Sequence, residues 1–152
     1  MKAATGSPWV LDTHILLDLW VYSDSAMQGL QQDLDAGRAI WLATDAMREE
    51  LERVLGYPQI ASRLPPRSQQ ASDVLQRFDR LACVQPVAPR AIYACQDPDD
   101  QKFVDLAVAH AAGLLSKDQQ VLRMKRRLAT LGVAVTSVYA PGASQTHGQP
   151  CP

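Results

Sequence analysis

The chain is poor in cysteine, in net charge and in long apolar runs, and each shortage excludes something. Only Cys83, Cys95 and Cys151 occur among 152 residues, odd in number and without a Cys-x-x-Cys pair. That argues against a disulfide framework and fits a reducing cytosol, and the lack of a Cys/His cluster argues against zinc. Lys and Arg number 15 against 16 Asp and Glu, a formal net charge of -1. Nothing overall draws such a chain toward a polyanion, so any nucleic-acid binding must work through local patches or bound cations. No apolar run approaches the about 18 residues of a membrane span. The opening Met-Lys-Ala-Ala-Thr-Gly-Ser-Pro lacks the apolar centre of a signal peptide. A cytoplasmic protein with no membrane association is expected. Aromatic residues are 6% of the chain and form no platform for stacking unpaired bases, so base specificity is not legible.

What is present is a near-average globular composition, 47% apolar and 20% charged, with length for one core-forming domain. Trp9-Val10-Leu11 is a short unbroken apolar run, as buried parallel strands are. Helical periodicity follows over 14–22 and 25–35, with Gly37 as a cap, and 39–43 reads as a second strand. Thr44 or Asp45 caps a helix over 46–55, stopped by Gly56 and Pro58. Pro65-Pro66 marks a turn, and 68–81 is helical with Val74, Leu75, Phe78 and Leu81 at core spacing. Residues 84–87 form a weak third strand. A helix opens at Asp97-Pro98 and runs to Ala112, ended by Gly113, before a fourth strand at 114–116. Asp118 opens a helix to about Leu131, and 133–138 is a fifth strand. Residues 1–140 thus form one domain, and 141–152, rich in Gly, Ser, Gln, Pro and Thr, a disordered tail.

Strands alternating with helices imply a mostly parallel sheet covered on both faces, with ligands beyond the carboxyl ends of its strands. Asp12 and Asp118 stand at two such strand exits, although each also suits a helix N-cap. Asp97, Asp99 and Asp100 crowd around Pro98. Asp97 is the natural cap, Asp100 is less fully accounted for, and three acids so close repel one another unless a cation sits nearby. On the helix over 46–55, Met47, Leu51, Val54 and Leu55 form the apolar stripe. Glu49 lies opposite it and Glu52 well off it. Glu50 flanks the stripe, where it either points into a cleft or makes a surface ion pair. Asp105 is expected to face solvent. Asp12, Glu50, Asp100 and Asp118 therefore come from four separate segments, a hard-oxygen set suited to Mg²⁺ or Mn²⁺ and to in-line attack on a phosphodiester. Lys117, Arg123, Lys125, Arg126 and Arg127 form the one dense basic stretch, either a phosphate grip beside that set or a solvated helix face. Trp9, Trp20 and Trp41 read mainly as core, with Trp20 and Tyr22 as alternative interface residues; His110 is expected on a helix surface.

These residues resemble the PIN domain family. The carrying motifs are Val10-Leu11-Asp12-Thr13-His14-Ile15-Leu16-Leu17, Glu49-Glu50-Leu51-Glu52-Arg53-Val54-Leu55, Asp97-Pro98-Asp99-Asp100-Gln101-Lys102-Phe103 and Leu114-Leu115-Ser116-Lys117-Asp118, in family order. Each is weak alone; the ensemble is specific and spans most of the chain up to about Val138. The branch it looks most like holds the VapC-like toxin ribonucleases of toxin–antitoxin systems, with Asp-Pro-Asp-Asp as its mark.

The resemblance implies a three-layer α/β/α domain with a five-stranded sheet in the order 3-2-1-4-5, and endoribonuclease activity dependent on Mg²⁺ or Mn²⁺. It implies Asp12, Glu50, Asp100 and Asp118 as catalytic acids, with Asp12, Asp100 and Asp118 as metal ligands. Thr13, Ser116 and Asp97 match supporting positions. RNA would be the substrate, an antitoxin protein the partner and a homodimer the working unit. One departure is His14, where most members carry Asn; an imidazole can still hydrogen-bond or contact phosphate, with a pH dependence that Asn lacks. Two rival classes stand beside this reading. A dehalogenase-like phosphatase would want a second acid two residues after Asp12, where His14 stands, and a non-catalytic binding module would not need all four acids.

Overall fold

The computed structural model describes residues 6–64 and 71–140. Five strands, β1 (Ser7–Leu11), β2 (Ala39–Ala43), β3 (Ala82–Val84), β4 (Gly113–Leu115) and β5 (Val135–Thr136), form one sheet in the order β3-β2-β1-β4-β5. Every pairing is parallel, as the alternation of strands and helices requires. The expected sheet order is therefore the one found. Around it lie α1 (Thr13–Trp20), α2 (Gln28–Ala36), α3 (Asp45–Leu55), α4 (Pro58–Ala61), α5 (Ala71–Leu81), α6 (Gln101–His110), α7 (Gln119–Leu122) and α8 (Lys125–Ala129).

The core explains why these segments take these forms. Val10, Leu11, Leu42, Ala43, Leu114 and Leu115 are buried, so the central strands carry apolar residues on both faces. Trp41 packs against Trp20, ring centroids 5.6 Å apart, and edge-on against Phe78 at 4.7 Å. Trp9 meets Tyr139 at 5.3 Å. All three tryptophans are thus core residues. Gly113 starts β4 beneath the Trp9 ring; a Cβ there would come within 2.7 Å of two ring carbons. The Tyr139 hydroxyl donates to buried Asp33, which also pairs with Arg38 at 2.7 Å.

Several boundaries differ from the sequence-based expectation. β3 is Ala82–Val84, not 84–87, because pairing with β2 places Ala82 beside Trp41 and Cys83 beside Leu42. β5 is only Val135–Thr136. The helix expected over 118–131 breaks into α7 and α8 at Arg123 and Met124, with Val121, Met124 and Leu128 all turned into the core. The helix after Asp97 begins as a 3-10 turn over Pro98–Asp100 and ends at Ala111, whose φ of 49° is left-handed. Ala111, not Gly113, therefore closes that helix. Asp105 does not face solvent freely: its Oδ1 accepts from the Ala91 amide and Gln101 Nε2, both at 2.8 Å. Cys95 is a buried free thiol, while Cys83 is disulfide-bonded, against the expectation for it. No helix among the described residues is long and apolar enough to cross a membrane. The turn at Pro65-Pro66, the helix start at Ser68, His147, Cys151 and the tail 141–152 lie outside the described residues.

Candidate active site

The carboxyl ends of β1 and β4 lie side by side, with Leu11 in register with Leu115, so the residues that follow them meet. Asp12 is one of these. It caps α1, its Oδ1 accepting from the Ile15 amide at 3.0 Å and its Oδ2 from Ser116 Oγ. Only 3% of Asp12 is exposed, and burial pushes its carboxyl up from the ordinary range. The Ser116 and Ile15 hydrogen bonds and the charge of His14 oppose that rise, while Asp118 adds to it. Ser116, fully buried at the end of β4, also accepts from the Asp118 amide at 3.0 Å. One hydroxyl thus ties the two strand exits together.

Asp118 caps α7, its Oδ1 accepting from the Gln120 amide at 2.8 Å. Asp97 caps the 3-10 turn by accepting from the Asp99 amide at 3.0 Å. The cap readings are therefore correct for all three, and the same residues also meet at one place. One oxygen from each of Asp97, Asp100 and Asp118 lies within 4.8 Å of the others. Asp100, placed at the junction of the 3-10 turn and α6, makes no cap hydrogen bond. Its buried Oδ2 has no partner among the described residues unless a proton is shared with Asp118. Burial, that shared proton and the charges of Asp118, Asp97 and Asp12 push the Asp100 carboxyl up to about 8.

Glu50 enters from α3 on the opposite side. Its Oε1 accepts from Thr13 Oγ1 at 3.0 Å and is ion-paired with Lys102 Nζ at 3.0 Å. The apolar stripe of α3 buries Met47, Leu51 and Leu55, leaving Glu50 half-buried at its edge while Glu49 and Glu52 are exposed. Asp12, Thr13, His14, Glu50, Asp100, Phe103, Lys117 and Asp118 together line one cleft of about 220 Å³.

The basic stretch divides. Lys117 borders the cleft, held at 2.6 Å by Asp18, which is buried on α1, and at 3.8 Å by Asp24. The hydrogen bond to Asp18 and the charges of Asp18, Asp24 and Asp12 raise its pKa. Arg123, Lys125, Arg126 and Arg127 are exposed and do not line the cleft; Arg127 instead lies over the Tyr93 ring at 5.9 Å. Asp97, read only as supporting, belongs to the tight aspartate trio, whereas Asp12 stands beside it. Sequence reasoning included Lys102 and Phe103 in the motif after Asp97 but gave neither a role in the site. Their surroundings come from α3 and the cleft wall, which the local sequence does not specify.

Oxygen donors from separated segments, one of them buried and unpartnered, fit a hard divalent cation. The model of a PIN domain matches residues 8–120, most of the chain, and no curated protein matches it. The chain belongs to the PIN domain family. Its fold is that of a nuclease-type domain with an acidic cluster at the carboxyl edge of the sheet.

Proposed function

We propose that the protein is an endoribonuclease that hydrolyses RNA phosphodiester bonds with Mg²⁺ or Mn²⁺. The observation carrying this reading is the convergence of Asp12, Glu50, Asp100 and Asp118 on one cleft, with Asp100 Oδ2 unsatisfied there. A buried carboxylate oxygen without a donor is costly, and a cation relieves it. Asp97, Asp100 and Asp118 would hold the ion, with Asp12 behind them. An ion held there would neutralise phosphate charge and make a water more acidic.

The chain's own residues do the rest. Ser116 and Ile15 fix Asp12 so that its charge does not swing away when substrate enters. Glu50, anchored through Oε1, keeps its second oxygen to orient the attacking water and accept its proton. Lys117 and His14, on the cleft wall, meet the phosphate backbone. Arg123, Lys125, Arg126 and Arg127 lie farther out, where they guide the strand without touching the scissile bond.

Family membership and the Asp-Pro-Asp-Asp segment further support the role of toxin component in a toxin–antitoxin system, acting in the cytoplasm as a homodimer and restrained by an antitoxin protein. Co-purification of a small partner with the protein from its native host tests that role. Cleavage of RNA by the purified protein with Mn²⁺, compared with EDTA and with Asp12→Asn, tests the chemistry. A loss of about 100-fold or more is expected in both controls; equal activity in all three means contamination and sinks the reading.

A further inference from the structure

The acidic cleft has two sides with different cations available to them. On one side, Asp97, Asp100 and Asp118 gather with no positive side chain bonded to any of them among the described residues. On the other, Glu50 faces the Lys102 ammonium at 3.0 Å, with 19% and 29% of the two side chains exposed. The same ammonium donates to the Asp99 carbonyl and stands 4.8 Å from the centroid of the Phe103 ring, over its face. A carboxylate, a carbonyl and an aromatic face are each favourable for an ammonium, and together they hold it in one place. This is a built position for a cation, filled by the chain itself. It lies two residues after Asp100, on the first turn of α6.

We propose that Lys102 is a built-in counter-ion for Glu50 that confines divalent-cation binding to the aspartate side of the cleft, so that the protein binds one such ion there. The inference rests on the reading of the cleft as a metal-dependent nuclease site. A second ion ligated by Glu50 would have to take its other oxygen, Oε2, with the ammonium already at Oε1 of the same carboxylate. Two cations on one carboxylate repel each other, so the ammonium already in place disfavours the second ion. Lys102 is then a positioning residue, setting where Glu50 points and how many ions the cleft takes.

Titration of the full chain with Mn²⁺, following free ion by electron paramagnetic resonance, counts the sites without any catalytic step. The wild type is expected to bind one equivalent. Lys102→Met frees Glu50 and is expected to raise this to two, and the double variant Lys102→Met with Glu50→Gln returns it to one. Lys102→Arg keeps the charge and is expected to stay at one, which guards against a stoichiometry changed by misfolding. RNA cleavage is measured on the same samples. Two equivalents in the wild type, or one in Lys102→Met, with Mn²⁺-dependent cleavage intact, overturn the role of Lys102 and leave the nuclease reading standing. No bound Mn²⁺ and no metal-dependent cleavage in the wild type overturn both.

Discussion

Ser116 Oγ donates to the Asp12 carboxylate across 104 residues of sequence, joining the ends of two neighbouring strands through a single hydroxyl. Both groups are buried, and Ser116 also receives the Asp118 amide. The arrangement makes the position of one acid depend on the other. Ser116→Ala is expected to leave the Asp12 Oδ2 and the Asp118 amide without this partner, costing about 1–3 kcal/mol by the usual price of a buried unmet hydrogen bond. Chemical denaturation reads the loss directly. Ser116→Thr, which keeps the hydroxyl, is expected to recover part of it; a stability for Ser116→Ala equal to wild type would show that the link carries no energy.

The pH dependence of the ion-free protein follows from Asp100. Its carboxyl titrates near 8 in the fold against an ordinary value of 3.8, so the folded chain keeps a proton that the unfolded chain has released. Stability is then greatest below the ordinary value, falls as pH rises between the two, and levels off above about 8. The raised carboxyl of Asp12 adds in the same direction. In EDTA, the melting temperature is expected to decline from pH 5 to pH 8. Asp100→Asn is expected to flatten that decline and to melt higher than wild type at pH 8; parallel curves for the two proteins would refute the assignment.

Divalent ions should reverse the same penalty. At pH 8, adding Mg²⁺ or Mn²⁺ is expected to raise the melting temperature, by the equivalent of about 2.7 kcal/mol at a hundredfold excess over the dissociation constant. At pH 5 the proton on Asp100 competes, so the shift should shrink. A shift of equal size at both pH values, or none at pH 8, would count against the aspartate cluster as the binding place.

Gly113 offers a test of the frame rather than of the chemistry. A methyl group there would meet the Trp9 ring at 2.7 Å, closer than packed atoms tolerate. Gly113→Ala is expected to cost about 1–3 kcal/mol through overpacking. Trp9→Phe in the same background, which shrinks the ring, should return part of the loss. Additive effects of the two changes in a double-mutant cycle would show that they do not meet.

The legible parts of the chain were those decided locally. Trp9-Val10-Leu11, Ala39–Ala43 and Leu114-Leu115 have too few polar residues to be anything but buried strands, and Asp12, Asp97 and Asp118 precede their helices as caps do. Glu50 could be separated from Glu49 and Glu52 by its angle from the apolar stripe. Features decided across the fold were not legible. β3 is placed by its pairing with β2, although Val84, half exposed, begins an apolar-looking stretch that drew the expectation onward. The break at Met124 has neither Pro nor Gly to announce it; core packing of Met124 imposes it. Lys102 finds Glu50 on a distant helix, Lys117 finds Asp18, and Asp105 serves the Ala91 amide, all through tertiary contacts without a local signature.

Three of the acids in or beside the cleft hold up helix beginnings: Asp12 for α1, Asp97 for the 3-10 turn and Asp118 for α7. A descendant that abandoned chemistry would still lose stability by discarding them. Such a chain would go on looking like an enzyme at those three positions for reasons of architecture alone. Glu50 and Asp100 are different, since neither makes a cap hydrogen bond and Asp100 burdens the fold with an unmet oxygen. In comparing natural variants of this protein, drift at those two positions is therefore the earliest mark of a site released from selection, and their retention the more telling sign of one still in use.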